Sequence, residues 1–127
     1  MRATFSKRER LVSRKLTEQL FSKGSSHSTT AFPLRAVFLK RERESDGVPV
    51  QVLVSVSKRH FKHAVDRNRV KRQIREAYRH GKQLLTARVP DGESYAVAFI
   101  WLADRHFDSV MVQRSVARLL EKIAERV

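Results

Sequence analysis

Residues 57–79 read SKRHFKHAVDRNRVKRQIREAYR, where nine of the 23 positions are Lys or Arg and apolar residues recur at helical spacing. A helix turns about 100° per residue, which gathers Val70, Ile74, Ala77 and Tyr78 on one arc. Lys71, Arg72, Arg75 and Arg79, with Asn68 among them, fall on another arc. The first arc suits a protein core, and the second presents a rigid basic surface whose charges can be set against particular phosphates. A merely solvated helix mixes its signs to gain i,i+4 pairs, whereas here Glu76 is the only acid after Asp66.

Upstream of this helix, Val50, Val52, Val54 and Val56 alternate with Gln51, Leu53, Ser55 and Ser57, the period of a strand with one buried face. Phe32, Leu34, Ala36 and Phe38 alternate in the same way with Pro33, Arg35, Val37 and Leu39, and Pro33 places that strand's start near an edge or bulge. The charged stretch Arg41 to Gly47, ending in Asp46-Gly47, predicts a turn that joins the two as an antiparallel hairpin. Ser25 to Thr30 reads as a loop. Before it, a short helix is expected with Ser13 as cap, Leu16, Leu20 and Phe21 on its apolar side and Gly24 as terminator.

The basic helix is expected to be capped by Asp66, or to start near His63, and to close near Gly81. Beyond it, a loop with Pro90-Asp91-Gly92 leads into the apolar run Tyr95 to Leu102, a strand buried on both faces. A last helix starts near Ser109 with Val112, Val116, Leu119, Leu120 and Ile123 on its core stripe. The order is α-β-β-α-β-α, an α+β class in which helices sandwich against one small central sheet. At 127 residues and 41% hydrophobic content the chain suits a single domain, 1–127, whose residues 1–12 form a basic lead-in.

A net charge of +14, from 27 Lys and Arg against 13 Asp and Glu, points to nucleic acid or an anionic surface as partner. The absence of cysteine removes disulfides, thiolate zinc sites and thiol catalysis, and suits a cytoplasmic protein. The charged first fifteen residues do not resemble a signal peptide, and no apolar run approaches the ~20 residues that span a bilayer, so no membrane role is expected.

Two histidine clusters invite a catalytic reading, His60 with His63 and the run Asp104 to Asp108 containing His106. Lys58, Arg59 and Lys62 would repel a divalent cation from the first, and Asp108 or Asp104 more simply caps the last helix. Neither a phosphate-binding glycine loop nor a nucleophile signature is present, so no catalytic and no metal-binding residues are expected in the chain. Most aromatics suit the core. Phe21, at the end of a short helix, is the exception, placed to support a single-stranded base. With the polar strand positions Arg35, Ser55 and Ser57 it would make a groove of single-strand width. Asn68 offers both donor and acceptor to a sugar or phosphate, or else bonds the backbone in the helix's first turn.

The segment Arg67 to Glu76, preceded by Val54 to Arg59 and by Ala64-Val65, closely resembles the signature of the bacterial ribonuclease P protein component. Arg10-Leu11, Leu20-Phe21 with Gly24, and Phe32 fall at positions expected for that family, so the resemblance extends from about residue 5 to residue 125. It implies an α/β sandwich with a left-handed βαβ crossover, against the general right-handed rule. It also implies partnership with a large catalytic RNA that removes the 5′ leader of precursor tRNA, using magnesium bound at the RNA active site. By resemblance, Arg67, Asn68, Arg69, Lys71, Arg72 and Arg75 face the RNA subunit, with Lys58, Arg59 and Arg79 extending that surface. Phe21, Arg35, Ser55 and Ser57 line the leader groove.

The chain departs from the family pattern at Leu53, where a glycine is common, and in the turn His60-Phe61-Lys62, which also lacks a usual glycine and is a residue longer. An aromatic usual near Leu16 or Thr17 is missing, and Arg35 stands for a common tyrosine, which bears on leader affinity and preference. Two other readings remain open: a general RNA-binding or ribosome-associated protein with no role in cleavage, and a protein-only nuclease using His60, His63 or His106.

Overall fold

The computed structural model describes residues 5–11, 13–22, 26–45 and 47–127. The expected helix stop at Gly24, Ser25 of the expected loop, Asp46 of the expected turn and residues 1–4 and 12 of the lead-in lie outside the described residues. Four helices and four strands follow in the order α1 (Arg14–Phe21), β1 (His27–Ala31), β2 (Leu34–Glu42), β3 (Val50–Ser55), α2 (Ala64–Gly81), α3 (Gln83–Thr86), β4 (Glu93–Trp101) and α4 (Ser109–Ala124).

The strands form one mixed sheet in the spatial order β1-β2-β4-β3, with β1–β2 and β2–β4 antiparallel and β3–β4 parallel. The expected hairpin between the second and third of these strands is therefore not formed. Strand β4 is buried over most of its length on both faces, and such a strand is driven to the sheet interior, where it separates β2 from β3. The hairpin partner of β2 is instead β1, which occupies the segment expected to be a loop. Its Thr29-Thr30 pair is β-branched and suits an edge strand with one open side. Pro33 sits with Phe32 in the turn between β1 and β2, and β2 itself is an interior strand.

Alternation along the strands divides the sheet into two faces. Leu34, Ala36 and Phe38 of β2, Val50, Val52 and Val54 of β3, and Tyr95, Val97, Phe99 and Trp101 of β4 pack beneath α2, α3 and α4. On the other face the smaller Ala96 and Ala98, with Val37 and flanking Leu39, Leu53 and Ile100, receive Leu16 and Leu20 of α1. Two alanines in the central strand let a short helix lie close to the sheet.

Helix ends follow their local chemistry. Ser13 Oγ accepts the Leu16 N–H at 3.2 Å, and an Asp108 carboxylate oxygen accepts the Met111 N–H at 2.8 Å. Helix α2 begins at Ala64 with His63 in the cap position, so Asp66 lies inside its first turn, where a carboxylate favours the positive end of the helix dipole. Helix α3 was not anticipated; it continues almost directly from α2 and buries Leu85. Gly92, at φ 84°, makes the turn into β4 that Pro90-Asp91-Gly92 predicts.

The described part of the basic lead-in is docked. Arg10 bridges Val52 in parallel register, and the Leu11 N–H donates to the Val52 carbonyl at 2.9 Å, so this segment runs along the open edge of β3. Lys82 donates to both Glu9 carboxylate oxygens at 3.1 and 3.0 Å, tying the segment to the end of α2.

Candidate nucleic-acid interface

Two surfaces take shape on this frame. The first is the outward face of α2. Val70, Ile74, Ala77 and Tyr78 are buried, as the helical arc requires, which turns Asn68, Arg69 and Arg72 fully outward and leaves Lys71, Arg75 and Arg79 half-exposed. Among the described residues, Arg69, Lys71, Arg72 and Arg75 have no carboxylate partner. The Asn68 side chain likewise makes no hydrogen bond to the described residues, so its amide is not consumed in the first turn of the helix.

Burial, and after it the neighbouring Arg10 guanidinium, holds Arg75 below the usual arginine range. The single acid is already occupied. Arg79 Nε donates to Glu76 Oε2 at 3.1 Å, and His80 Nε2 lies 3.0 Å from Glu76 Oε1. The Arg79 bond, reinforced by His80, pulls the Glu76 carboxyl down to about 2.

Arg67 has a local task. Its Nη1 donates to the carbonyls of Phe61 and Lys62, both at 2.9 Å, and so braces the turn that enters α2. Lys58 and Arg59 are exposed in that turn, where Ser57 Oγ accepts the Arg59 N–H at 3.1 Å. Two further ties fix the turn against the loop after β4. His60 Nδ1 lies 2.6 Å from Asp104 Oδ1, and His106 Nε2 lies 3.1 Å from Asp66 Oδ1 while its ring stacks on Phe61 with centroids 4.5 Å apart. His60 and His106 thereby cross-link the turn to its neighbours, and His63 is exposed at the start of α2. Among the described residues no three His, Cys, Asp or Glu side chains converge as a metal site would require.

The second surface lies on the α1 side of the sheet. Register places Thr30, Arg35, Ile100 and Ser55 in one row across all four strands, and Ser28, Val37, Ala98 and Leu53 in the next. Leu20 of α1 packs into the second row, and Phe21, 50% exposed, stands at the rim beside Ser22. Phe21, Ser28, Arg35, Val37 and Ile100 line one depression there, and Arg35 Nη2 reaches Ser28 Oγ at 3.4 Å.

Phe21 and Arg35 are thus brought together, and Ser55 continues their row two strands away. Ser57 stands beyond the end of β3, its hydroxyl turned to the Arg59 N–H. Ser28 and Thr30 were missed because their segment reads as loop; the alternation of Ser28 and Thr30 with Thr29 and Ala31 was the available signal.

Comparison with known proteins places this architecture. The family profile described as Ribonuclease P matches residues 5–124. The ribonuclease P protein component of Porphyromonas gingivalis is 39% identical over 128 residues, covering 98% of this chain and 91% of that protein. Among solved structures, a Staphylococcus aureus RNase P protein mutant superposes with a TM-score of 0.67 at 21% identity, covering 92% of this chain and 88% of that one. The RNase P protein from Thermotoga maritima gives 0.65 at 22% identity, covering 90% and 96%. The last two establish likeness of fold.

Proposed function

The chain belongs to the ribonuclease P protein family, and from that premise we propose that it is the protein component of ribonuclease P, binding the RNase P RNA through α2 and gripping the 5′ leader of precursor tRNA in the groove beside α1. The observation that carries this reading is the outward face of α2, where Arg69, Lys71, Arg72 and Arg75 stand without carboxylate partners among the described residues. Such a face is stabilised when phosphates fill it.

The protein supplies charge and position. Lys58 and Arg59 in the entry turn, with Arg79 on the last turns of α2, extend the basic surface on either side of Arg67 to Arg75. These groups screen the repulsion between two RNAs and hold them in register. Phe21 offers a base-stacking edge, while Arg35 offers a cation to the leader backbone and Ser55 a hydroxyl. Ser57 takes part through the turn it braces.

Cleavage belongs to the RNA partner. The protein's own face does not fit a divalent ion, since it is cationic and Glu76 is engaged by Arg79 and His80. The magnesium required for hydrolysis is assigned to the RNA. Among the described residues no helix is long and apolar enough to cross a membrane, and the protein acts in the cytoplasm with its RNA.

The test is cleavage of precursor tRNA at low magnesium by the cognate catalytic RNA, with and without this protein, beside a protein-only control. Stimulation only when RNA and protein are both present is the expected result. Cleavage by protein alone, lost in His106→Ala, would return the reading to a nuclease. A correctly folded protein that binds RNA and gives no stimulation would make it a general RNA-binding protein.

A further inference from the structure

Arg10 lies 65 positions before Arg75, yet the two guanidiniums are close enough for one to lower the proton affinity of the other. With Arg72 and Arg79 they surround one depression, whose apolar side is Phe5. Nothing in the approach of Arg10 is accidental to chain connectivity. Its backbone is bridged to Val52, the preceding Glu9 is bonded to Lys82, and its guanidinium stands over the Phe5 ring, 5.6 Å from the centroid. Phe5 is itself fixed edge-on to the buried Tyr78, with centroids 5.6 Å apart.

The fold therefore carries a cation from the N-terminal segment to the basic face of α2 and holds it among like charges. Cations gathered round one depression in this way repel one another unless an anion sits between them. The structure provides no carboxylate for that place among the described residues. Glu76, the one acid at the rim, has both oxygens engaged by Arg79 and His80. Guanidiniums are the groups suited to phosphate oxygens, because each presents paired donors in a plane.

We propose that Arg10, Arg72 and Arg75 form a clamp for a single backbone phosphodiester of the RNA subunit, joining the N-terminal segment to α2. This rests on the assignment of α2 to the RNA subunit and adds to it a residue outside the signature segment. It also gives the docked lead-in a task beyond covering the edge of β3.

The experiment measures binding of the cognate catalytic RNA over a range of salt for the unaltered protein, R10Q, R75Q, R10Q/R75Q and R69A. Precursor tRNA binding to the assembled ribonucleoprotein is measured in parallel. R10Q is expected to weaken catalytic-RNA binding about tenfold or more, as loss of a charge-assisted hydrogen bond does, and to lower the salt slope by about 0.7 to 0.9. The double variant should lose less than the product of the single losses, because each already breaks the shared clamp. R10K, which keeps the charge, should recover part of the affinity, and thermal unfolding checks that each variant is folded.

If R69A weakens binding while folded R10Q does not, the clamp is refuted and α2 remains the RNA-binding face. If neither weakens it, the assignment of α2 falls as well. Loss confined to precursor tRNA, with catalytic-RNA binding intact, would also overturn the clamp as proposed.

Discussion

Replacing Phe21 with Ala separates the groove from the rest of the fold more cleanly than any other single change. Leu16 and Leu20 carry the packing of α1 on the sheet, at 5% and 0% exposure, whereas Phe21 is 50% exposed. Full burial of such a side chain is worth about 1.5–3 kcal/mol, so the half that is buried here contributes roughly 1 kcal/mol to stability. A base stacked on the ring contributes about 1–3 kcal/mol to binding, a loss of roughly 5- to 150-fold in affinity on truncation. The assay is equilibrium binding of precursor tRNAs with graded leader lengths, and of mature tRNA, to the assembled ribonucleoprotein. Phe21→Ala should weaken only substrates whose leader reaches the depression lined by Phe21, Ser28 and Arg35, and Phe21→Trp should restore them. Equal weakening of leader-bearing and mature tRNA would refute the stacking argument and make the residue structural.

The α2 face gives a second test: the combined change Arg69→Ala and Arg72→Ala should lower the salt slope of catalytic-RNA binding by about 1.4 to 1.8, and an unchanged slope in a folded protein would count against that face. Leu20→Ala, at a fully buried position, should destabilise the protein by about 2–5 kcal/mol in denaturant unfolding, far more than Phe21→Ala. The Glu76 carboxyl, held at about 2 by the Arg79 bond, gives an acid signature with a definite sign. Because its folded pKa lies below the unfolded one, its contribution to stability is complete above about 4.5 and disappears as pH falls toward 2. Glu76→Gln should flatten that part of the acid-unfolding curve, an effect kept small by solvent at this half-exposed pair. Glu9→Gln removes the carboxylate charge that the largely buried Lys82 ammonium meets and should cost roughly 1–3 kcal/mol, measured by thermal unfolding.

Local pattern made α1, α2 and α4 legible and left α3 and the sheet order out of reach. The apolar arcs of α2 and α4, the Ser13 and Asp108 caps and the buried run of β4 each follow from spacing within a few residues. Strand pairing depends on what is inserted later in the chain. Nothing between Leu34 and Ser55 announces that β4, some forty residues downstream of β3, will take the place between them. Strand β1 was hidden for a different reason. Its Ser and Thr residues suit a loop and a solvated edge strand equally, and only pairing with β2 decides between the two. The same blindness covered Arg10, whose place beside Arg75 is a property of the parallel bridge to Val52 rather than of its neighbours in sequence.

The two surfaces are linked by one stretch of chain. Ser55 ends β3 in the groove's polar row, and nine residues later Ala64 opens α2. Across that short span the backbone is bonded internally from Ser57 to His60 and Phe61, clasped by Arg67 at Phe61 and Lys62, and pinned to the loop after β4 by the His60–Asp104 and His106–Asp66 contacts. A connection so restrained fixes the distance and angle between the groove beside α1 and the basic helix, the two surfaces proposed to meet RNA. On the proposed function, the ordering cost of setting two RNA segments in register is met within the protein fold. Loosening the connection at His106, away from both surfaces, should therefore weaken stimulation of cleavage more than it weakens binding of either RNA alone. Equal loss in all three measurements would mean that the turn supports only the fold.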